Sequence, residues 1–132
     1  MPRFPTPSSH LSRMPLRIAA FLLAAGLLAA CGGQELTGNV KSGPAPGDAV
    51  EIEAGDNFFE PEQVEVTAGE EVTVQITNTG NAAHDWTVDE LELSTGVIPA
   101  GEVFHATFTA PDGDLEFVCT LHRGMDGTIK VA

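Results

Sequence analysis

Basic side chains are scarce in this 132-residue chain. Six Lys and Arg stand against nineteen Asp and Glu, a formal charge of −13. Nucleic acid is a poor partner for such a protein, because its phosphates are held by clustered Lys and Arg. Cysteine is scarcer still, at two residues, Cys31 and Cys119. The chain also lacks the run of about twenty apolar residues that spans a bilayer: its apolar run, Ile18 to Ala30, has thirteen. No internal repeat is visible.

What is there begins with that apolar run. Arg3, Arg13 and Arg17 precede it without any acid, and small residues end it. A basic segment, an apolar segment and small residues in that order predict an export signal over residues 1–30. The stretch Leu28-Ala29-Ala30-Cys31 resembles the lipobox of bacterial lipoproteins. That resemblance implies that Cys31 is lipidated and heads the mature chain. The protein would then be extracytoplasmic and lipid-anchored to a bacterial membrane, on the periplasmic or outer cell-surface face. Each buried methylene of such an anchor adds about 0.8 kcal/mol of membrane affinity. Loss of residues 1–30 leaves three basic residues against nineteen acids, a formal charge of −16. A strong single-sign charge favours solubility and can steer a basic partner. With Cys31 acylated, Cys119 has no intrachain disulfide partner. A lone exported thiol is open to oxidation unless it is buried or metal-bound.

Residues 32–48, GGQELTGNVKSGPAPGD, hold five Gly, two Pro and little apolar bulk. With Cys31 they are expected to form a flexible linker, with an r.m.s. reach of roughly 20–25 Å. A single domain is expected over residues 49–132. There the hydrophobic pattern has period two. Val72, Val74 and Ile76 alternate with polar residues, as do Val64 and Val66, and Phe104, Ala106 and Phe108. Leu115, Phe117 and Cys119 share one parity, and Ile129 sits in a short final segment. Val, Thr and Phe favour strands, and clusters such as TAGE, NTGN and APDGD mark turns between them. No segment sustains a helical period. The expectation is an all-β Greek-key sandwich or barrel of about seven strands. Trp86, Phe104, Phe108 and Phe117 are expected in the core. One of Phe58 and Phe59 should face in and the other out. His105 shares the parity of Thr107 and Thr109 and is expected in solvent.

The chemistry is concentrated near the C-terminus. Cys119, His122 and Met125 follow one another at three-residue spacing, and beyond residue 31 they include the one thiol and the one thioether. His84 lies 35 residues before Cys119 and shares the parity of Trp86 and Val88, which points it at the core. Singly, each has an ordinary explanation as core filling or a satisfied histidine. Together, one thiolate, two imidazoles and a weak thioether are the ligand set of a mononuclear blue-copper site. Thiolate donates strongly to Cu(II), imidazole suits both oxidation states, and thioether favours Cu(I). The expected metal ligands are therefore His84, Cys119, His122 and Met125, holding one type 1 copper.

On these residues the chain resembles the cupredoxin family. The resemblance covers about residues 50–132. It includes the segment DNFFEPEQVEVTAGEEVTVQITNTG, which is similar to the family's N-terminal half. The spacing from Cys119 to His122 to Met125 is similar to that of amicyanins; plastocyanins and pseudoazurins place two more residues before the Met. The resemblance implies copper at one end of the sandwich and electron transfer between larger redox proteins, with His122 as the partly exposed electron port. There is one departure. Many relatives carry Asn after the first His, donating a hydrogen bond that ties the two ligand loops. Asp85 stands there, and a carboxylate only accepts, so that tie is not expected to carry over. Asn78, Asn81 or Thr120 could replace it.

The function expected is a membrane-tethered one-electron carrier, monomeric, serving redox proteins such as a c-type cytochrome or a terminal oxidase. The alternative is a copper-delivery or copper-buffering lipoprotein serving an oxidase. Such proteins tend to expose several Met or His, and only Met125 remains here. An enzyme is not expected. Cys119 and His122 could pair as nucleophile and base, but no third group to orient them is evident. A binuclear copper site would need two Cys on the loop.

Overall fold

The computed structural model describes residues 39–132. The signal, Cys31 and the first part of the linker lie outside the described residues. Among the described residues, ten strands form two five-stranded sheets. These are β1 (Val40–Ser42), β2 (Val50–Gly55), β3 (Phe58–Glu60), β4 (Gln63–Val66), β5 (Glu71–Asn78), β6 (Thr87–Val88), β7 (Leu93–Ser94), β8 (Val103–Thr109), β9 (Leu115–Val118) and β10 (Asp126–Val131). Among the described residues the one helical element is a 3₁₀ turn, Asp89–Leu91, between β6 and β7. None of their helices is long and apolar enough to cross a membrane.

One sheet runs in the order β1-β8-β5-β2-β3, the other β4-β10-β9-β6-β7. The pairing of β5 with β8 is antiparallel and extends from Glu71–Thr109 to Thr77–Val103. Two pairs are parallel, β2 with β5 and β4 with β10. Neighbours so distant in sequence require crossovers between the sheets, which is the sandwich topology expected of short alternating strands. The strand count exceeds the expected seven because several strands have only two or three residues, too short to display a period.

Alternation places the core. Val72, Val74, Ile76 and Asn78 of β5 point inward and are buried, while Glu71 is exposed. Ile129 of β10 and Phe117 of β9 approach from the facing sheet, each fully buried. Aromatic rings join the layers. Phe59 of β3 meets Phe117 edge-to-face at 5.2 Å. Trp86 stacks toward Phe117 at 5.8 Å and Phe108 at 6.5 Å. Pairs of this kind contribute about 0.5–1.5 kcal/mol beyond the area they bury. Phe59 faces in and Phe58 faces solvent, as adjacent strand residues must. Phe104 is half-buried against the core margin.

Two expectations change at the N-terminal end. The chain enters the sheet at Val40, within the stretch expected to be linker, because β1 pairs with β8 in the register Val40–Ala106, Lys41–His105 and Ser42–Phe104. His105 is not in solvent; it is 7% exposed. Its parity does place it on the outer face of β8, but residues 43–46 cover that face. His105 Nδ1 donates to the Gly43 carbonyl at 2.9 Å, and the Ala45 amide donates to Gln75 Oε1 at 2.8 Å.

Candidate metal centre

Two loops at one end of the sandwich carry the donors. The first follows β5. Asn78, fully buried, accepts from the Gly80 amide through Oδ1 and donates through Nδ2 to the carbonyls of Ala82 and Ile98, each at 2.8 Å. His84 then forms an isolated bridge with Ile98, exchanging both backbone hydrogen bonds. The His84 ring, 0% exposed, is thereby aimed inward.

The second loop follows β9. Cys119 immediately follows the strand, and its amide donates to the Met125 carbonyl at 2.8 Å, closing the loop on itself. The His122 amide reaches the Cys119 carbonyl, and the Met125 amide the His122 carbonyl. The three-residue spacing is therefore two successive turns, which return each donor residue to the same end. Gly124 permits this with φ of +77°, a left-handed conformation that a side chain would oppose. Cys119 is 4% and Met125 2% exposed, whereas His122 is half-buried.

The donor atoms of His84, Cys119 and His122 lie within 4.8 Å of one another. Both imidazoles turn Nδ1 to the sulfur: His84 Nδ1 lies 3.8 Å and His122 Nδ1 3.4 Å from Cys119 Sγ. Metal–nitrogen and metal–sulfur bonds of about 2.0 and 2.3 Å, opened to about 110–120°, separate those donors by about 3.5–3.8 Å. The observed spacing fits one metal ion shared by the three. One soft thiolate with two imidazoles fits copper. Met125 is buried at the end of the same loop, with its backbone paired to Cys119.

A model of the cupredoxin-like domain family matches residues 19–131. The chain belongs to the cupredoxin family. Solved structures of similar fold include auracyanin A, a "blue" copper protein from Chloroflexus aurantiacus. It is 20% identical, covering 64% of this chain and 98% of its own, with a TM-score of 0.56. Amicyanin from Paracoccus versutus is 18% identical, covering 71% of this chain and 98% of its own, with a TM-score of 0.55. The metal-binding domain of the Cu(I)-exporting P-type ATPase of Streptococcus pneumoniae, solved with Cu(I), is 17% identical. It covers 64% of this chain and 84% of its own, with a TM-score of 0.57. At such identities the likeness is one of fold. A search of the curated proteins found no match.

In this cupredoxin the tie between the two loops runs through Thr120, one of the three residues expected to be able to replace an Asn donor. The carboxylate makes it by accepting. Asp85 Oδ1 receives the Thr120 amide at 2.8 Å and the Thr120 hydroxyl at 3.1 Å. Oδ2 receives the Thr87 hydroxyl at 2.7 Å. As expected, Asp85 donates nothing to the other loop; Thr120 supplies both donors. Asn78 instead braces the first loop internally, and Asn81 turns to Asp56.

Asp85 also bears on the thiol. Its Oδ1 lies 3.4 Å from Cys119 Sγ. Burial pushes the Cys119 thiol above its ordinary range, and the Asp85 carboxylate adds to that, against the backbone amides of Asp85 and Leu121. Without a cation the site therefore holds the sulfur protonated. A metal supplies the counter-charge that lets it ionise.

One residue escaped the sequence reading. Asp56, in the turn between β2 and β3, accepts from the amides of Asn81 and Ala82 and from Asn81 Nδ2. Those bonds hold its carboxyl well down, at about 2, with the Ala82 amide the largest cause. It faces His84 Nε2 at 3.7 Å. Nothing in the local sequence around Asp56 signals this, since the two residues meet only through the fold.

Proposed function

We propose that this cupredoxin would hold one type 1 copper on His84, Cys119 and His122, with Met125 as a weaker thioether donor, and carries single electrons. The observation that supports the reading most is the convergence of two imidazole Nδ1 atoms on one buried thiol. Copper, when bound, supplies the Cu(II)/Cu(I) couple. The chain's own residues do the rest. The bridge between His84 and Ile98, the Cys119–Met125 closure and the Asp85–Thr120 tie hold the donors to one geometry, so little rearrangement accompanies transfer. Burial of His84, Cys119 and Met125 keeps water and oxidants from the thiol. His122, the half-buried donor, is the port through which a partner exchanges the electron.

Tethering through a lipidated Cys31 places this carrier on the extracytoplasmic face of a bacterial membrane. Its partners there are redox proteins such as a c-type cytochrome or a terminal oxidase, and the protein acts as a monomer. Copper delivery is the weaker reading, because a metal held by three buried donors and one half-buried one is not readily handed over. The experiment is to mix the reduced, copper-loaded protein with an oxidised c-type cytochrome. One electron should pass per copper, with the metal retained through repeated cycles. Release of copper to an apo-oxidase domain, without electron exchange, would overturn the carrier reading.

A further inference from the structure

Resting on the copper reading above, we propose that Asp56 is a positioning residue of the metal centre: its carboxylate takes the Nε2–H of His84 and so leaves Nδ1 bare to ligate. The two ring nitrogens of His84 have different surroundings. Nδ1 faces Cys119 Sγ, and to bind a metal there it must carry no proton. The proton of the neutral ring then sits on Nε2. That atom is fully buried and has no hydrogen-bond partner. A buried N–H left unpaired is destabilising, because it has given up water without gaining an acceptor. The acceptor it faces is Asp56 Oδ1, at 3.7 Å, too long for a hydrogen bond until the ring tilts by a few tenths of an ångström.

Asp56 is built for this task. Its Oδ1 is held by the Asn81 amide at 2.8 Å and the Ala82 amide at 3.1 Å, and its Oδ2 by Asn81 Nδ2 at 3.1 Å. These donors belong to the loop that leads into His84, so carboxylate and ring move as one unit. Gly80 makes room, since a Cβ there would collide with Asp56 Oδ1. Metal-bound histidines commonly donate their second N–H to a carboxylate, which fixes the tautomer and makes the ligating nitrogen more basic. Cys119 therefore has a carboxylate neighbour in Asp85 and His84 has one in Asp56, on separate turns of the chain.

Asp56 also staples its loop, so the test must separate the two roles. Asp56→Asn keeps an oxygen for the Asn81 and Ala82 amides but removes the charge; Asp56→Ala removes both. The readouts are the His84 ring ¹⁵N shifts in the metal-free and Zn(II)-loaded protein, and the Cu(II) affinity. The wild type should show the Nε2–H tautomer before any metal is added. Asp56→Ala should lose that preference and about 10–100-fold in Cu(II) affinity. Asp56→Asn should fall between, since a neutral acceptor bonds about half as strongly as a charged one. If Asp56→Asn matches the wild type in tautomer and affinity, Asp56 is only a staple and the proposal is wrong. Should Asp56→Ala fail to fold, Asp56→Asn carries the test alone. A wild type that takes up no copper would sink the copper reading, while the metal-free tautomer still decides the role of Asp56.

Discussion

Replacing Asp85 with Asn removes one buried negative charge from beside the sulfur and keeps an oxygen for Thr120. Oδ1 lies 3.4 Å from Cys119 Sγ, and Asp85 is only 4% exposed. A metal bonded to that sulfur would stand on the order of 5 Å from the carboxylate, where unit charges interact by about 1 kcal/mol in water-like surroundings and about 3 kcal/mol at an effective dielectric of about 20. Reduction adds an electron to the metal, and a neighbouring anion opposes it. Losing the anion should therefore raise the reduction potential, by roughly 40–130 mV at about 59 mV per tenfold in equilibrium constant. The fold should suffer little. The Thr87 hydroxyl loses Oδ2 as acceptor but still has Ser94 Oγ at 2.8 Å, so the metal-free protein should lose about 1 kcal/mol. Potentiometric titration of Asp85→Asn beside the wild type, with urea unfolding of both metal-free forms, makes the comparison. An unchanged or lowered potential in a variant that folds normally refutes the electrostatic argument.

Other outcomes follow from the same geometry. Binding Cu(II) at neutral pH should release one proton from the Cys119 thiol, whose affinity for its proton burial has raised; an unbuffered titration measures it, and Cys119→Ser should release none. The carboxyls of Asp56 and Asp114 are held below their ordinary value of 3.8, Asp56 at about 2 and Asp114 chiefly by Lys130. Their folded pKa values are depressed, so their contribution is complete above that ordinary value and is lost as pH falls through the folded values. The urea midpoint of the metal-free protein should hold steady down to about pH 4 and then drop. A midpoint that rises on acidification contradicts the assignment. Phe117→Ala empties the junction between the sheets and should cost about 3–5 kcal/mol in urea unfolding; a loss under about 1 kcal/mol would mean that the ring is not where the two layers meet.

Strand parity is local, and it identified most of the core directly. Val72, Val74 and Ile76 point where alternation puts them, and so do Phe108 and Phe117. The same rule failed for His105 for a definite reason. Parity says which face of the sheet a residue occupies, and the cover that buries His105 comes from residues 43–46, more than fifty positions earlier. Strands as short as Thr87–Val88 and Leu93–Ser94 hold too few residues to alternate. At the metal centre, the spacing of Cys119, His122 and Met125 was legible because one loop carries all three and its turns repeat every three residues. His84 could be placed by parity and chemistry together. Asp56 could not, because its meeting with His84 depends on how the β2–β3 turn lies against the loop after β5. Asp85 was visible as a residue that cannot donate, but which of Asn78, Asn81 and Thr120 makes the tie was decided only by the fold, which brings Thr120 to it.

The central claim is that Cys119 and two histidines share one copper. The visible absorption and electron paramagnetic resonance of the domain loaded with one Cu(II), beside Cys119→Ser, test it most directly. The account predicts an intense blue thiolate-to-copper band in the wild type that vanishes in the variant. A colourless wild type, or a band that survives the loss of the sulfur, would contradict it.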